Sequence, residues 1–99
     1  MNLLPKKIEK AIPKLNSQEN AEDPTAYVKF FDPTGSFTWF ATEGEWQGNG
    51  DFLFYGRVDG LESELGYFSL RELQSVTGRF GLGIERDLWF KPVPLSEAR

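Results

Sequence analysis

Apolar and polar residues alternate with a period of two from Phe52 to Asp59, the pattern of a half-buried β-strand. One face of this strand carries Phe52, Phe54, Gly56 and Val58, and the other carries Leu53, Tyr55, Arg57 and Asp59. Asp59-Gly60 is a turn sequence, and a second strand is predicted over residues 65–68. Gly56, inside the first strand, indicates a bulge or a close approach of a neighbouring backbone.

A helix is predicted directly after this second strand. Ser69 and Glu72 have the spacing of a capping box, in which the two side chains satisfy backbone amides at a helix start. Apolar residues behind the cap recur at helical spacing, so we predict a helix near residues 69–77.

The remaining segments predict one more helix and further strands. Residues 3–15 place apolar side chains at helical spacing until Pro13 interrupts them. We therefore expect residues 1–15 to be either a helix docked on the body or a mobile arm. Residues 16–25 are polar and predicted to be a loop or linker. Three further strands are predicted at residues 27–31, 37–43 and 84–90.

The short connections between neighbouring strands favour antiparallel pairing. We therefore predict a single α+β domain over residues 1–99. Its core is expected to be an antiparallel meander sheet of four to five strands, with an N-terminal helix and one helix near residues 69–77.

The chain of 99 residues contains no cysteine and no histidine, two residue types on which many enzymes depend. Disulfides, thiolate metal ligands and a cysteine nucleophile are thereby excluded, and the commonest general base is lost. No apolar run is long enough to span a membrane. We expect a non-enzymatic, cytoplasmic protein with no cofactor and no membrane contact.

Charge is distributed unevenly along the chain. Residues 1–14 contain Lys6, Lys7, Lys10 and Lys14 against Glu9, a net charge of +3. The whole chain has a net charge of −4, so residues 15–99 carry −7. An acidic body disfavours a nucleic-acid partner, because phosphate contacts need lysine or arginine. Contact with nucleic acid through the basic N-terminal arm stays open as an alternative.

Three carboxylates, Asp59, Glu62 and Glu64, lie at the turn predicted between two strands. Carboxylates so placed can bind Mg²⁺ or Ca²⁺, but their spacing matches no calcium-binding loop. The simpler interpretation is that they form the turn and keep the loop soluble. We predict no metal site and treat all three as candidates for contact with a partner.

Two arginines are candidates for the same kind of contact. Arg57 lies on the central strand, where we expect an ion pair with Asp87 or Glu43. Arg86 lies between Glu85 and Asp87 and faces the other side of its predicted strand. The functional alternative is that either guanidinium binds a phosphate or a carboxylate.

Aromatic side chains on a sheet can stack on single-stranded bases. The candidates are Trp39, Trp46, Tyr55, Tyr67 and Trp89. We expect most of these rings to lie in the core. Trp46 is the exception, because it is in a glycine-rich segment beside Gln47 and Asn49, and an exposed tryptophan there indicates contact with a partner.

Six segments, in order and spacing, resemble a family of small bacterial proteins of unknown function. They are residues 15–19, 28–31, 39–43, 56–60, 64–70 and 85–88, followed by Phe90, Pro92 and residues 94–96. The resemblance extends nearly end to end. It implies carriage on plasmids, integrative elements and phages, near genes for DNA processing or antirestriction, and it brings no catalytic residues. Asn16 stands where the family pattern leads us to expect a tyrosine.

These observations favour a non-enzymatic protein-interaction module that acts in DNA transfer, replication or host-defence evasion. The predicted contact residues are Trp46, Glu62, Glu64, Arg57, Asp59 and Arg86. Mimicry of DNA by surface carboxylates is one form of this hypothesis. Two alternatives stay open: an accessory protein that binds single-stranded nucleic acid through the basic arm, and a carboxylate-dependent enzyme.

Overall fold

The computed structural model describes residues 1–99 and confirms the predicted α+β fold with an N-terminal helix. In chain order the elements are α1 (Lys6–Ala11), β1 (Thr25–Ala26), β2 (Val28–Phe31), β3 (Thr38–Trp46), β4 (Phe52–Asp59), β5 (Ser63–Ser69), α2 (Leu70–Ser75), β6 (Glu85–Arg86) and β7 (Val93–Pro94). Single turns of 3₁₀ helix cover Arg79–Gly81 and Leu95–Glu97. None of the helices has the length and apolar character needed to cross a bilayer.

Five strands form one antiparallel sheet in the order β5-β4-β3-β2-β6, and β1 pairs with β7 in a separate two-stranded sheet. β4 pairs along its length with β3 on one side and β5 on the other. The two edges of the five-stranded sheet differ, because β5 has seven residues and β6 has two.

One face of this sheet, which we call the helix face, is covered by α2 and by the N-terminal segment. The predicted alternation in β4 aims Phe54 into this layer, where its ring is packed against those of Phe30, Phe52 and Phe68 at centroid distances of 5.4, 4.9 and 5.3 Å. The buried residues of this core are Leu3, Ile12, Val28, Phe30, Ala41, Phe52, Phe54, Phe68, Leu73 and Ile84.

The N-terminal segment is held by residues on either side of its helix. α1 is six residues long and has no buried residue of its own, whereas Leu3 and Ile12 are buried in the core of the helix face. A helix this short is not stable in isolation, so these flanking contacts hold it. Pro13 follows immediately and disfavours helical backbone at Ile12, as predicted.

The second helix begins at the predicted cap. The Ser69 hydroxyl oxygen accepts a hydrogen bond from the Glu72 N–H at 3.1 Å. α2 then ends at Ser75, two residues short of the predicted boundary near residue 77.

The opposite face of the sheet, which we call the groove face, has a smaller apolar core. That core consists of Ala26, Phe40, Leu95 and Ala98, with Phe90 and Val93 packed against it. The C-terminal segment therefore covers this face near Phe40 but leaves the part of it on β4 and β5 open.

A β-bulge in β3 decides which side chains reach the groove face. Ala41 pairs with Gly56 and Glu43 pairs with Tyr55, so Thr42 is an extra residue in β3. Because the bulge shifts the alternation by one position, Glu43 lies on the groove face with Tyr55. The predicted close approach at Gly56 is confirmed, since a Cβ there would be 1.8 Å from the carbonyl oxygen of Phe40.

The predicted strand over residues 84–90 is wrong in extent, since only Glu85–Arg86 pairs as β6. The Asp87 carboxylate accepts a hydrogen bond from the Trp89 N–H at 2.9 Å, and this turn ends the strand. Trp89 is consequently 91% exposed rather than part of the core.

The predicted C-terminal end of β3 is also wrong, because the strand runs on to Trp46 rather than ending at Glu43.

Candidate functional site

The groove face contains a concave site, a groove of about 530 Å³. Its floor is formed by side chains of β4 and β5, and its two walls are formed by residues 16–24 and by the C-terminal 3₁₀ turn. The lining residues are Asn16, Gln18, Glu19, Ala21, Glu22, Asp23, Pro24, Thr42, Glu43, Tyr55, Arg57, Leu65, Tyr67, Leu95 and Ser96.

The first wall is attached to the sheet by the Glu43 carboxylate, which is only 5% exposed. Its Oε1 accepts a hydrogen bond from the Asn16 N–H at 2.8 Å, and its Oε2 accepts one from the Gln18 N–H at 2.7 Å. Hydrogen bonds of amides to a carboxylate are stronger than neutral ones. Glu43 therefore uses both oxygens to fix the loop, and its charge is not presented to the groove as a free group.

Gln18 joins the same wall to two strands. Its Nε2 donates to the carbonyl oxygens of Thr42 and Thr25 at 2.7 and 3.0 Å, and its Oε1 accepts from the Thr25 N–H at 2.8 Å. Asn16 has a φ of 70°, a left-handed conformation that asparagine adopts more readily than most residues. The segment predicted to be a loop or linker is thus a loop that is ordered against the sheet.

The second wall is attached by Arg57. Its Nη1 and Nη2 donate to the carbonyl oxygens of Leu95 and Ala98 at 2.8 and 2.7 Å, while its Nε donates to Asp59 Oδ1 at 3.0 Å. The guanidinium also lies 4.7 Å from the centroid of the Phe40 ring. Because each of its three nitrogens donates to a partner within the chain, Arg57 positions the C-terminal segment.

The two walls are also joined to each other. Asp23 accepts hydrogen bonds from the Ser96 hydroxyl at 2.6 Å and the Ser96 N–H at 3.0 Å. These bonds favour the carboxylate and lower the pKa of Asp23 below its ordinary value. The Leu95 N–H donates to the Pro24 carbonyl oxygen at 2.8 Å, so the groove is closed at this end.

The open part of the groove is aromatic on its floor and acidic on its wall. The rings of Tyr55 and Tyr67 meet edge to face with centroids 4.9 Å apart. Tyr67 is 58% exposed and Leu65 is 62% exposed, which corrects the expectation that the Tyr67 ring lies in the core. Glu19 and Glu22 line the wall, and neither takes part in an ion pair. Cations are attracted both to carboxylates and to aromatic faces.

The structure brings together two of the six predicted contact residues in an ion pair. Arg57 and Asp59 pair with each other, which corrects the expected pairing of Arg57 with Asp87 or Glu43. Asp87 pairs instead with Lys29 at 3.7 Å.

Glu62 and Glu64, both exposed, line a separate shallow depression at the turn between β4 and β5. No group of three or more acidic side chains converges in a geometry that could hold a metal ion. The depression beside Glu62 and Glu64 and the groove therefore do not form one acidic pocket.

The other two predicted contact residues do not line the groove. Trp46 is 51% exposed at the end of β3, where its ring meets that of Phe52 edge to face at 5.2 Å. Trp46 is eight positions along β3 from Thr38, which pairs with Asp59 beside the turn, a span of roughly 26 Å. Arg86 lies on β6, at the opposite edge from β5, and donates to the Asn2 carbonyl oxygen.

The residues that sequence reasoning missed are Glu19, Glu22 and Leu65, and Tyr67 was a candidate whose exposure was not expected. The period-two pattern of β4 and β5 indicated which side chains share a face but not that the C-terminal segment leaves part of that face open. The polar composition of residues 16–25 predicted a loop or linker but not that it is ordered. The hydrogen bonds that order it come from residues 24 to 27 positions away in sequence.

Comparisons with known proteins identify a family but no characterised relative. No curated protein and no solved structure matches the chain. The family model described as "Protein of unknown function (DUF2958)" matches residues 3–97. Since this match extends over nearly the whole sequence, the protein belongs to the DUF2958 family of proteins of unknown function.

Proposed function

We propose that this protein is a non-enzymatic interaction module that binds a basic segment of a partner protein in the groove. The observation that carries the proposal is the combination of exposed Tyr67 and Leu65 with the unpaired carboxylates of Glu19 and Glu22. A lysine or arginine of a partner has an apolar stem for the floor and a cationic end for the wall.

The chemistry of the groove supports binding rather than catalysis. Glu43 and Arg57, the charged residues best shielded by the walls, use their polar atoms to hold the chain segments that form those walls. The resemblance to proteins of mobile elements supports DNA transfer, replication or host-defence evasion as the setting.

The test is retention of a partner by the immobilised full chain at low salt. We expect a protein from the source cell to bind wild type and to be lost from the double variant Glu19→Lys/Glu22→Lys. The double variant Glu9→Lys/Glu85→Lys makes the same change in net charge on α1 and β6 and is expected to bind like wild type. Equal retention by all three proteins, or none by wild type, would contradict the proposal.

A second candidate function is binding of single-stranded nucleic acid by the basic arm together with Trp46. It is favoured by the contacts that hold the arm beside the Trp46 end of β3. The Gly44 N–H donates to the Pro13 carbonyl oxygen at 2.9 Å, and the Leu15 N–H donates to Glu45 Oε1 at 3.0 Å. Lys14 therefore lies next to that strand end.

Tryptophan fluorescence titrated with single-stranded DNA at two salt concentrations tests this candidate. A salt-dependent signal change that is lost in Trp46→Phe supports it, because phosphate contacts weaken as salt rises. A flat signal at both salt concentrations removes it.

A further inference from the structure

The two edges of the five-stranded sheet are protected to very different degrees. β6 is two residues long, and the N-terminus lies against it through hydrogen bonds between Arg86 and residues 1–2. β5 is seven residues long and has a neighbouring strand on one side only. A long exposed edge strand is a template for pairing with another chain, and proteins usually shorten or cover such edges.

The backbone groups that β5 presents to solvent follow from one hydrogen bond in the middle of the sheet. The Thr42 hydroxyl donates to the Tyr55 carbonyl oxygen at 3.1 Å, so the Tyr55 backbone faces β3. Tyr55 is opposite Tyr67. Because antiparallel residues alternate in the direction of their N–H and C=O groups, those of Tyr67 and Leu65 face away from β4.

These outward groups are unused. No turn, loop or cap hydrogen bond involves the backbone of Leu65 or Tyr67. Their side chains form the open floor of the groove, so the free backbone edge and the exposed side chains belong to the same residues. Gly66 lies between these two residues and faces the other side of the sheet. No atom lies within 4 Å of the position where its Cβ would be, so that side of the edge is open as well.

We propose that an extended, basic segment of a partner protein adds to β5 as a sixth, antiparallel strand. Every pairing in this sheet is antiparallel, and strand addition of this kind is a recurrent mode of peptide recognition. The hydrogen bonds join the segment to Leu65 and Tyr67, and its groove-facing side chains extend over Tyr67 toward Glu19 and Glu22. The basic character of the segment rests on the function proposed above, whereas the strand geometry rests on the edge.

Charge determines which occupant fits this edge. Glu62 and Glu64 lie at the start of β5, and Glu19 and Glu22 lie across the groove, with no ion-pair partner for any of the four. A second copy of this chain would bring a second β5 with the same acidic residues, and like charges at an interface oppose association. A lysine- or arginine-containing strand complements them.

The geometry predicts which amides of such a strand are essential. In an antiparallel pair, residues that exchange both hydrogen bonds are directly opposite and their side chains share a face. The residues bonded to Leu65 and Tyr67 are therefore those whose side chains enter the groove. The intervening residues have N–H groups that face solvent.

The test uses a synthetic peptide of about seven residues in which lysine and valine alternate, with binding to the full chain followed by isothermal titration calorimetry. We expect the peptide to bind and a glutamate–valine peptide not to bind. Methylation of the lysine backbone nitrogens is expected to weaken binding about tenfold or more, because each lost hydrogen bond reduces affinity. Methylation of the valine nitrogens is expected to change it less than about threefold.

The outcomes separate this inference from the function proposed above. If the lysine–valine peptide binds wild type but not Glu19→Lys/Glu22→Lys, and both methylation patterns have equal effects, the acidic groove stands and strand addition is overturned. A loss confined to valine methylation overturns the antiparallel geometry. If the peptide does not bind, or if only the glutamate–valine peptide does, both proposals fail. Sedimentation that shows a dimer in place of peptide binding assigns the edge to a second copy instead.

Discussion

The two faces of the five-stranded sheet are covered by different chemistry. On the helix face, packed aromatic rings around Phe54 exclude water and form most of the contact between the layers. On the groove face, Glu43, Gln18 and Arg57 hold backbone segments through hydrogen bonds, and much of the surface between them stays open. The helix face makes the fold stable, whereas the groove face orders the walls of a site.

The largest expected effect is on the helix face. Phe54→Ala should lower the free energy of unfolding by about 3–5 kcal/mol, because it leaves a cavity among three other rings. Tyr67→Ala, in the exposed groove, should lower it by less than about 1 kcal/mol. Urea denaturation of both variants measures the difference, and equal losses would show that the two faces do not differ as described.

The next largest effect is expected at Glu43. Glu43→Gln should cost about 1–3 kcal/mol, because an amide NH₂ would replace one of two acceptor oxygens facing backbone N–H groups. Hydrogen exchange should speed up at Asn16 and Gln18. Glu45→Gln is the control: only Oε1 of Glu45 accepts a bond, from the Leu15 N–H, and a glutamine oxygen can keep it. Unchanged exchange in Glu43→Gln would show that the carboxylate does not order this wall.

A smaller effect is expected at Arg57. Arg57→Lys should cost about 1 kcal/mol, because an ammonium group cannot reach Asp59 and both C-terminal carbonyl oxygens at once. Residues 95–98 should then exchange their amides faster. Arg86→Lys, at the covered edge, should change neither the free energy of unfolding nor the amide exchange of residues 95–98 measurably. The guanidinium of Arg86 forms a hydrogen bond only with the Asn2 carbonyl oxygen. If both variants behave alike, the C-terminal wall does not depend on Arg57.

The smallest effect is an acid-dependent loosening of the contact between the two walls. The pKa of Asp23 is lowered by hydrogen bonds from Ser96, so the contact stabilises the fold above the ordinary aspartate value of 3.8. The stabilisation is lost as the pH falls further, through the lowered pKa. The NMR shift of the Ser96 amide should titrate in this acidic window in wild type but not in Asp23→Asn. A titration midpoint above pH 3.8 would contradict this prediction, because it would mean that the pKa of Asp23 is raised rather than lowered.

Local sequence patterns were sufficient to predict the elements that depend on nearby residues. The alternation in β4, the cap at Ser69 and the interruption at Pro13 each act within a few positions, and each is present in the structure. The early end of β6 was missed because the side-chain turn at Asp87 competes with strand pairing, which leaves Trp89 exposed.

The site itself was harder to predict, because it depends on contacts between distant segments. The groove needs the bulge at Thr42 to turn Glu43 toward residues 16–18, and no local pattern marks an extra residue in a strand. It also needs Arg57 to reach residues 95 and 98, about 40 positions ahead in sequence. All six predicted contact residues stay predictions, and of these only Arg57 lines the groove.

Amide hydrogen exchange at β5, with and without the lysine–valine peptide, tests the central claim most directly. In the free protein the amides of Leu65 and Tyr67 should exchange quickly and that of Gly66 slowly, because alternate N–H groups face solvent. Saturating peptide should slow exchange at Leu65 and Tyr67 and leave Trp89 unchanged. Fast exchange at Leu65 and Tyr67 in the saturated complex would contradict strand addition at this edge.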